Sequence, residues 1–223
     1  MLDSGRARGG IPAGWKSGAR ADETVVSEAG SGVRLVVLAS GNGSNLQAVL
    51  DASASVVAVF SDNGEAFALD RARRSGVPAI AAPFEKGRSR SAYDAALADA
   101  VAAYEPDYVL LLGWMRILSA AFLSRFPGMV VNLHPALPGM FPGTRAIGRS
   151  LDAYRAGRIE KTGVMTHFVP DEGVDSGPVI AVSDVMILPE DDLASLEARV
   201  HETEHRLIVE TVMSLVREYE RRG

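Results

Sequence analysis

The chain has 223 residues, a net charge of −5 and no cysteine. Such a length fits one α/β domain or two small ones, and without cysteine there is no disulfide framework, thiolate nucleophile or Cys-based metal site. The acidic balance argues against a broad nucleic-acid surface, the longest apolar runs are far too short to span a bilayer, and a reducing cytoplasm is the expected compartment.

Residues 1–32 are rich in Gly, Ala and Ser and have neither apolar periodicity nor a secretory core, so a disordered extension is expected there. From residue 33 onward, short apolar runs alternate with amphipathic segments. VRLVVLAS reads as a buried strand followed by a helix over GSNLQAVLDA. SVVAVFSD is a second strand, and EAFALDRARRSG a helix stopped by its glycine. VPAIAA is a third strand, followed by an alanine-rich helix over SAYDAALADAVAAYEP. DYVLLLG and MVVNLH are further strands flanking a helical SAAFLSRF. Continuous apolar strands alternating with helices predict an α/β fold of Rossmann-like type, a mostly parallel sheet with helices on both faces. After residue 142 the pattern changes. A helix over RAIGRSLDAYRAG leads to two strands, GVMTHFV and PVIAVSDVMI, close enough to be antiparallel neighbours, and a long helix from about 193 to 219 closes the chain.

Four stretches carry candidate chemistry. In SGNGSN (40–45) the glycines permit a tight turn at a strand end, and the following helix offers unpaired N–H groups to an anion. A dinucleotide loop would place a third glycine where Leu46 stands, although Asp62 lies at the spacing of a ribose-binding acid; a phosphate-ester cradle needs only the N–H groups. In VVNLHPALPG (130–139), Asn132 and His134 share one face of a strand that Pro135 ends, which places an amide and an imidazole at the C-terminal sheet edge. That pair suits carbonyl chemistry, with an amide bonding an oxyanion while an imidazole moves a proton. PDEGVDSGP (170–178) offers Asp171, Glu172 and Asp175 as partners for the histidine, and the residues alone do not choose among them. GWMRIL (113–118) places Arg116 at a strand exit whose apolar wall would suit a planar ligand.

Together these stretches resemble the phosphoribosylglycinamide formyltransferase family. The similarity runs from about 33 to 216 through VVLASGNGSNLQAVLDA, SRSAYDAALADA, GWMRILSAAFLSRFPG, VVNLHPAL, HFVPDEGVDSGP and LEARVHETEHRL, in that order. The resemblance implies a single catalytic domain over 33–223 that moves a formyl group from 10-formyltetrahydrofolate, as co-substrate and without a metal, to the glycyl amine of glycinamide ribonucleotide in purine synthesis. It implies that Gly43, Ser44, Asn45 and Glu204 hold the ribonucleotide. Arg90, Met115, Arg116, Ile117, Leu118 and Asn132 would meet the folate, and Asn132, His134 and Asp175 would be catalytic. Its implied partners are small molecules, with no nucleic acid or membrane, and the protein would be a monomer or homodimer. HPALPGMFPGTRAI departs from the family's more usual His-Pro-Ser-Leu-Leu-Pro run, a histidine common a few residues later is replaced near Ile147, and the loop before Asp175 is one residue longer than in some relatives.

HETEH (201–205) matches the His-Glu-x-x-His of zinc hydrolases. A third ligand in the usual continuation would fall at Thr211, which cannot serve, and Glu204 lies in the helix's apolar stripe, where a carboxylate needs a partner. Formyltetrahydrofolate hydrolysis on the same Asn-His-Asp set is the nearest rival activity, and a nicotinamide-dependent oxidoreductase rests on Gly41, Gly43 and Asp62 alone.

Overall fold

The structure is a computed structural model that describes residues 15–17 and 32–222. Its strands are β1 (Lys16–Ser17), β2 (Leu35–Leu38), β3 (Val56–Ser61), β4 (Ala79–Ala81), β5 (Tyr108–Leu111), β6 (Val130–His134), β7 (Lys161–Phe168) and β8 (Val179–Met186). They form one sheet in the order β1-β4-β3-β2-β5-β6-β7-β8. Strands β2 to β6 pair in parallel, whereas β7 and β8 run antiparallel as the sequence predicts. The expected disorder of 1–32 falls mostly outside the described residues. Within that stretch Lys16–Ser17 pairs antiparallel with the edge strand β4, and Trp15 is buried with its ring 5.9 Å from Tyr93.

Helices cover both faces. On one side α1 (Ser44–Asp51), α2 (Phe67–Arg74), α5 (Ala146–Arg155) and α6 (Leu193–Arg222) join strand residues such as Leu35, Val37, Val131 and Leu133 in one apolar cluster. On the other, α3 (Arg90–Ala102) and α4 (Ala120–Leu123) pack Tyr93, Leu97 and Phe122 over Val36, Leu38 and Val109. Local chemistry sets the ends. Ser89 caps α3 by accepting the Ala92 N–H at 3.2 Å. Asp192 and Ser195 exchange side-chain and backbone bonds at the start of α6, and Gly76 at φ +71° follows α2. Among the described residues no helix is long and apolar enough to cross a membrane.

The sheet order reverses between β2 and β5, so the loops that leave these strands diverge and open a crevice at their C-terminal ends. The glycine turn after β2, the segment after β5 and the end of β6 all border that crevice. Fold topology has thereby gathered three of the four candidate stretches.

Candidate active site

Strand β6 places Asn132 and His134 on the face away from Val131 and Leu133, as strand alternation requires. Register with β7 sets His167 opposite Asn132 and Met165 opposite His134. The loop after β7 then folds back over the strand end. Gly177 allows this, because a Cβ there would overlap the Phe168 carbonyl, and Asp175 adopts φ +51°.

Of the three loop acids, Asp175 is the one brought to the pair. Its Oδ2 lies 3.2 Å from His134 Nδ1 and accepts the Gly143 N–H at 2.7 Å. Its Oδ1 accepts from Asn132 Nδ2 at 2.9 Å. Asp171 instead accepts the Gly173 N–H within the turn, and Glu172 pairs with Arg90 while accepting the Ala120 N–H.

These bonds set the protonation pattern. Since a carboxylate only accepts, Asp175 beside Nδ1 favours the His134 tautomer with its proton on Nδ1 and the lone pair on Nε2. That Nε2 is buried and has no hydrogen-bond partner among the described residues. Burial holds the His134 pKa below the ordinary histidine value, against the opposing pull of Asp175 and the Phe141 and Met140 carbonyls. For Asp175 burial acts upward, but the His167 ring, the Gly143 N–H and the His134 charge outweigh it and keep the carboxyl below its usual range. His167 Nδ1 donates to the Phe168 carbonyl at 2.9 Å, leaving Nε2 to accept from Asn132 Nδ2 at 3.1 Å. Both amide hydrogens of Asn132 are therefore held by the protein, a constraint invisible in the sequence. A cavity of about 350 Å³ adjoins the trio, lined by Met140, Pro142, Met165, Val174 and Asp175 among others.

At the glycine turn, Gly43 sits at φ +74° as the residue before α1, and no side chain caps the helix. Two constraints demand glycine there: the left-handed backbone and the approach of α2, since a Cβ would meet Ala68 Cβ at 2.7 Å and Cα at 2.8 Å. Arg71 braces the turn from α2, donating to the Asn42 carbonyl and side-chain oxygen at 2.9 Å each. Ser44 and Asn45 open the helix, and the Asn45 side-chain oxygen is buried without a partner among the described residues. Leu46 is fully buried in the core, so the third-glycine position of a dinucleotide loop is a packing residue here. Asp62 faces Arg116, at 3.8 Å.

The segment after β5 is tied to the turn by the Met115 N–H, which donates to Ser40 Oγ at 3.0 Å. Met115 and Ile117 are exposed, whereas Leu118 is buried and leaves only its main chain for a ligand. Arg116 lies 3.9 Å above the Phe84 ring. Arg90, at the start of α3, holds Glu172.

The family profile described as Formyl transferase matches residues 33–212. The chain is 44% identical over 187 residues to the phosphoribosylglycinamide formyltransferase of Mycobacterium tuberculosis, across 82% of this chain and 84% of that one. It is 38% identical over 200 residues to the enzyme of that name from Dictyostelium discoideum, across 81% and 97%. The crystal structure of phosphoribosylglycinamide formyltransferase from Streptococcus pneumoniae superposes with a TM-score of 0.76 at 40% identity, covering 82% of this chain and 98% of that one. The chain belongs to the phosphoribosylglycinamide formyltransferase family.

Membership in this family gives HETEH a different meaning from a zinc helix. Glu204 is buried in α6 and takes His201 Nδ1 at 2.6 Å, which raises the His201 pKa. The partner that its place in the apolar stripe requires is thus one turn away. Among the described residues no three His, Asp or Glu side chains gather as a metal-holding group. Sequence reasoning missed His167 and the Gly143 N–H as members of the site. The first had a weak signal, a histidine in an otherwise apolar strand, and the second had none, because a backbone donor carries no residue signature.

Proposed function

We propose that this chain transfers the formyl group of 10-formyltetrahydrofolate to the glycyl amine of glycinamide ribonucleotide, with His134 as proton carrier. The observation that supports this most directly is His134 itself, held at Nδ1 by Asp175 and presenting a buried, unpartnered Nε2. The glycine turn and the α1 N-terminus would hold the ribonucleotide phosphate, with Glu204 contacting the same substrate. The exposed faces of Met115 and Ile117, with Arg90, Arg116 and the Leu118 main chain, would receive the folate.

In this reading the amine attacks the formyl carbon, a C–N bond forms, and the carbonyl electron pair moves to oxygen. His134 Nε2 takes the proton from the attacking nitrogen, and Asp175 stabilises the imidazolium. An Asn132 N–H, released from His167, meets the oxyanion. His134 then gives its proton to the folate nitrogen as that C–N bond breaks and the carbonyl re-forms. Formylated ribonucleotide and tetrahydrofolate leave, and His134 returns to its starting state. A cytoplasmic monomer or homodimer acting on small molecules belongs to the same proposal.

The test mixes protein and 10-formyltetrahydrofolate with or without glycinamide ribonucleotide and follows tetrahydrofolate release. Release that requires the acceptor supports transfer, release without it supports hydrolysis, and no release in either case refutes both. His134→Ala and Asn132→Ala should each lower turnover at least about a hundredfold in a folded protein.

A further inference from the structure

The loop between β6 and α5 is strained and carries a hydrogen bond to the acid–base pair. Gly139 and Gly143 both have φ +77°, and the non-glycine residues Phe141 and Arg145 have φ +47° and +57°. A side chain in the left-handed region is unfavourable and persists only where its surroundings impose it. The Gly143 N–H of this loop holds Asp175 Oδ2 at 2.7 Å, and that same oxygen lies 3.2 Å from His134 Nδ1. This is also the stretch whose sequence departs from the family's usual run.

One side chain fastens it. Arg149, on the first turns of α5, donates from Nη2 to the Phe141 carbonyl at 2.5 Å and the Pro142 carbonyl at 2.6 Å. Its guanidinium carbon lies 5.9 Å from the centre of the Phe141 ring. The charge is thus directed at two successive peptide oxygens, the bonds that fix the turn just before Gly143. The Arg149 Nε is buried without a partner among the described residues, so the side chain tolerates an unmet donor while holding these carbonyls. Nη2 is thus engaged by the loop.

We propose that Arg149 is a positioning residue for formyl transfer. It locks the 141–143 peptides so that Gly143 holds Asp175 and Asp175 holds His134. The inference rests on the transfer reading given above. Arg149→Ala should lower kcat by about ten- to a hundredfold, because misplacement of a catalytic pair by a fraction of an ångström to an ångström costs that much. KM for either substrate should change by less than about threefold, the signature of a defect in the reacting geometry rather than in binding. Guanidinium ion added to Arg149→Ala should restore part of the loss. Arg149→Lys keeps a cation and a good helix former but not the planar fork, so it should fold and fall between wild type and alanine.

Turnover alone would not separate this inference from the transfer reading, so the ligand-free protein supplies a second readout. The imidazole nitrogen resonances of His134 should show Nδ1–H in wild type and lose that fixed pattern in Arg149→Ala, or in Arg149→Lys if the alanine variant fails to fold. Unchanged His134 resonances in a folded variant overturn the proposal. So does an unchanged kcat, or a raised KM with kcat intact, which would make Arg149 a substrate contact. A wild type that shows the Nδ1–H pattern yet transfers no formyl group refutes the transfer reading and leaves the positioning geometry to be judged by the resonances.

Discussion

Asp175→Asn tests the centre of the mechanism with almost no change of shape. The wild-type carboxylate accepts from Asn132 Nδ2 at 2.9 Å and the Gly143 N–H at 2.7 Å, and pairs with His134 Nδ1 at 3.2 Å. An amide at this position has one oxygen and one NH2 group, so no orientation satisfies all three. With NH2 toward Asn132, two donors face each other and the Asn132 orientation is lost. With NH2 toward Gly143, His134 must accept at Nδ1, and its proton moves to Nε2, the atom that has to receive one. Bonds to a charged acceptor are worth about 1.5–3 kcal/mol each, and the two made to Asn132 and His134 bear on the transition state. Each amide orientation forfeits one of these two, and a loss of about 1.5–3 kcal/mol corresponds to about 10- to 10²-fold in kcat at about 1.4 kcal/mol per decade. Steady-state release of tetrahydrofolate measures it, with a thermal melt as control for folding. A folded Asp175→Asn variant that keeps more than about a tenth of wild-type kcat would refute the tautomer argument.

Three further outcomes follow from the same geometry. Because burial lowers the His134 pKa and the lone-pair form is the active one, kcat/KM should rise with pH through a midpoint below the ordinary histidine value of about 6.5 and then stay level; a midpoint above about 7 contradicts the assignment. Gly43→Ala should lose about 1–3 kcal/mol of stability through left-handed strain and the Ala68 contact, whereas Gly41→Ala, with nothing within 4 Å of its added Cβ, should melt like wild type; equal melting temperatures for the two variants would count against the turn geometry. Glu204 raises the His201 pKa, so that pair stabilises the fold fully below about pH 6.5 and loses its effect as pH rises through the elevated value; in Glu204→Gln the His201 midpoint followed by proton NMR should drop, and an unmoved midpoint would show that the pair is not formed in solution.

The split between what could and could not be read in advance follows interaction range. Apolar runs at β2, β3, β5 and β6 announce buried parallel strands because a strand covered on both faces must be apolar on both. The antiparallel β7 and β8 follow from their short connection, and the shared face of Asn132 and His134 follows from strand alternation alone. All of these are properties of neighbours along the chain. By contrast, the choice of Asp175 over Asp171 and Glu172 depended on where a turn-rich loop folds back, which the close approach of Gly177 to the Phe168 carbonyl settles. His167 entered through register with β6, 35 residues away, and Trp15 through an apolar niche beside Tyr93 that forms only when the sheet edge exists.

The amino-acid order by itself determined the α/β architecture, the turn that must be glycine and the amide–imidazole pair at a strand end, since each is encoded by residues within a few positions of one another. Tertiary structure alone decided which carboxylate joins that pair, which backbone donor holds it and which hydrogens of Asn132 are already engaged. Those contacts span tens of residues, and they exist only after the sheet has brought distant strand ends together.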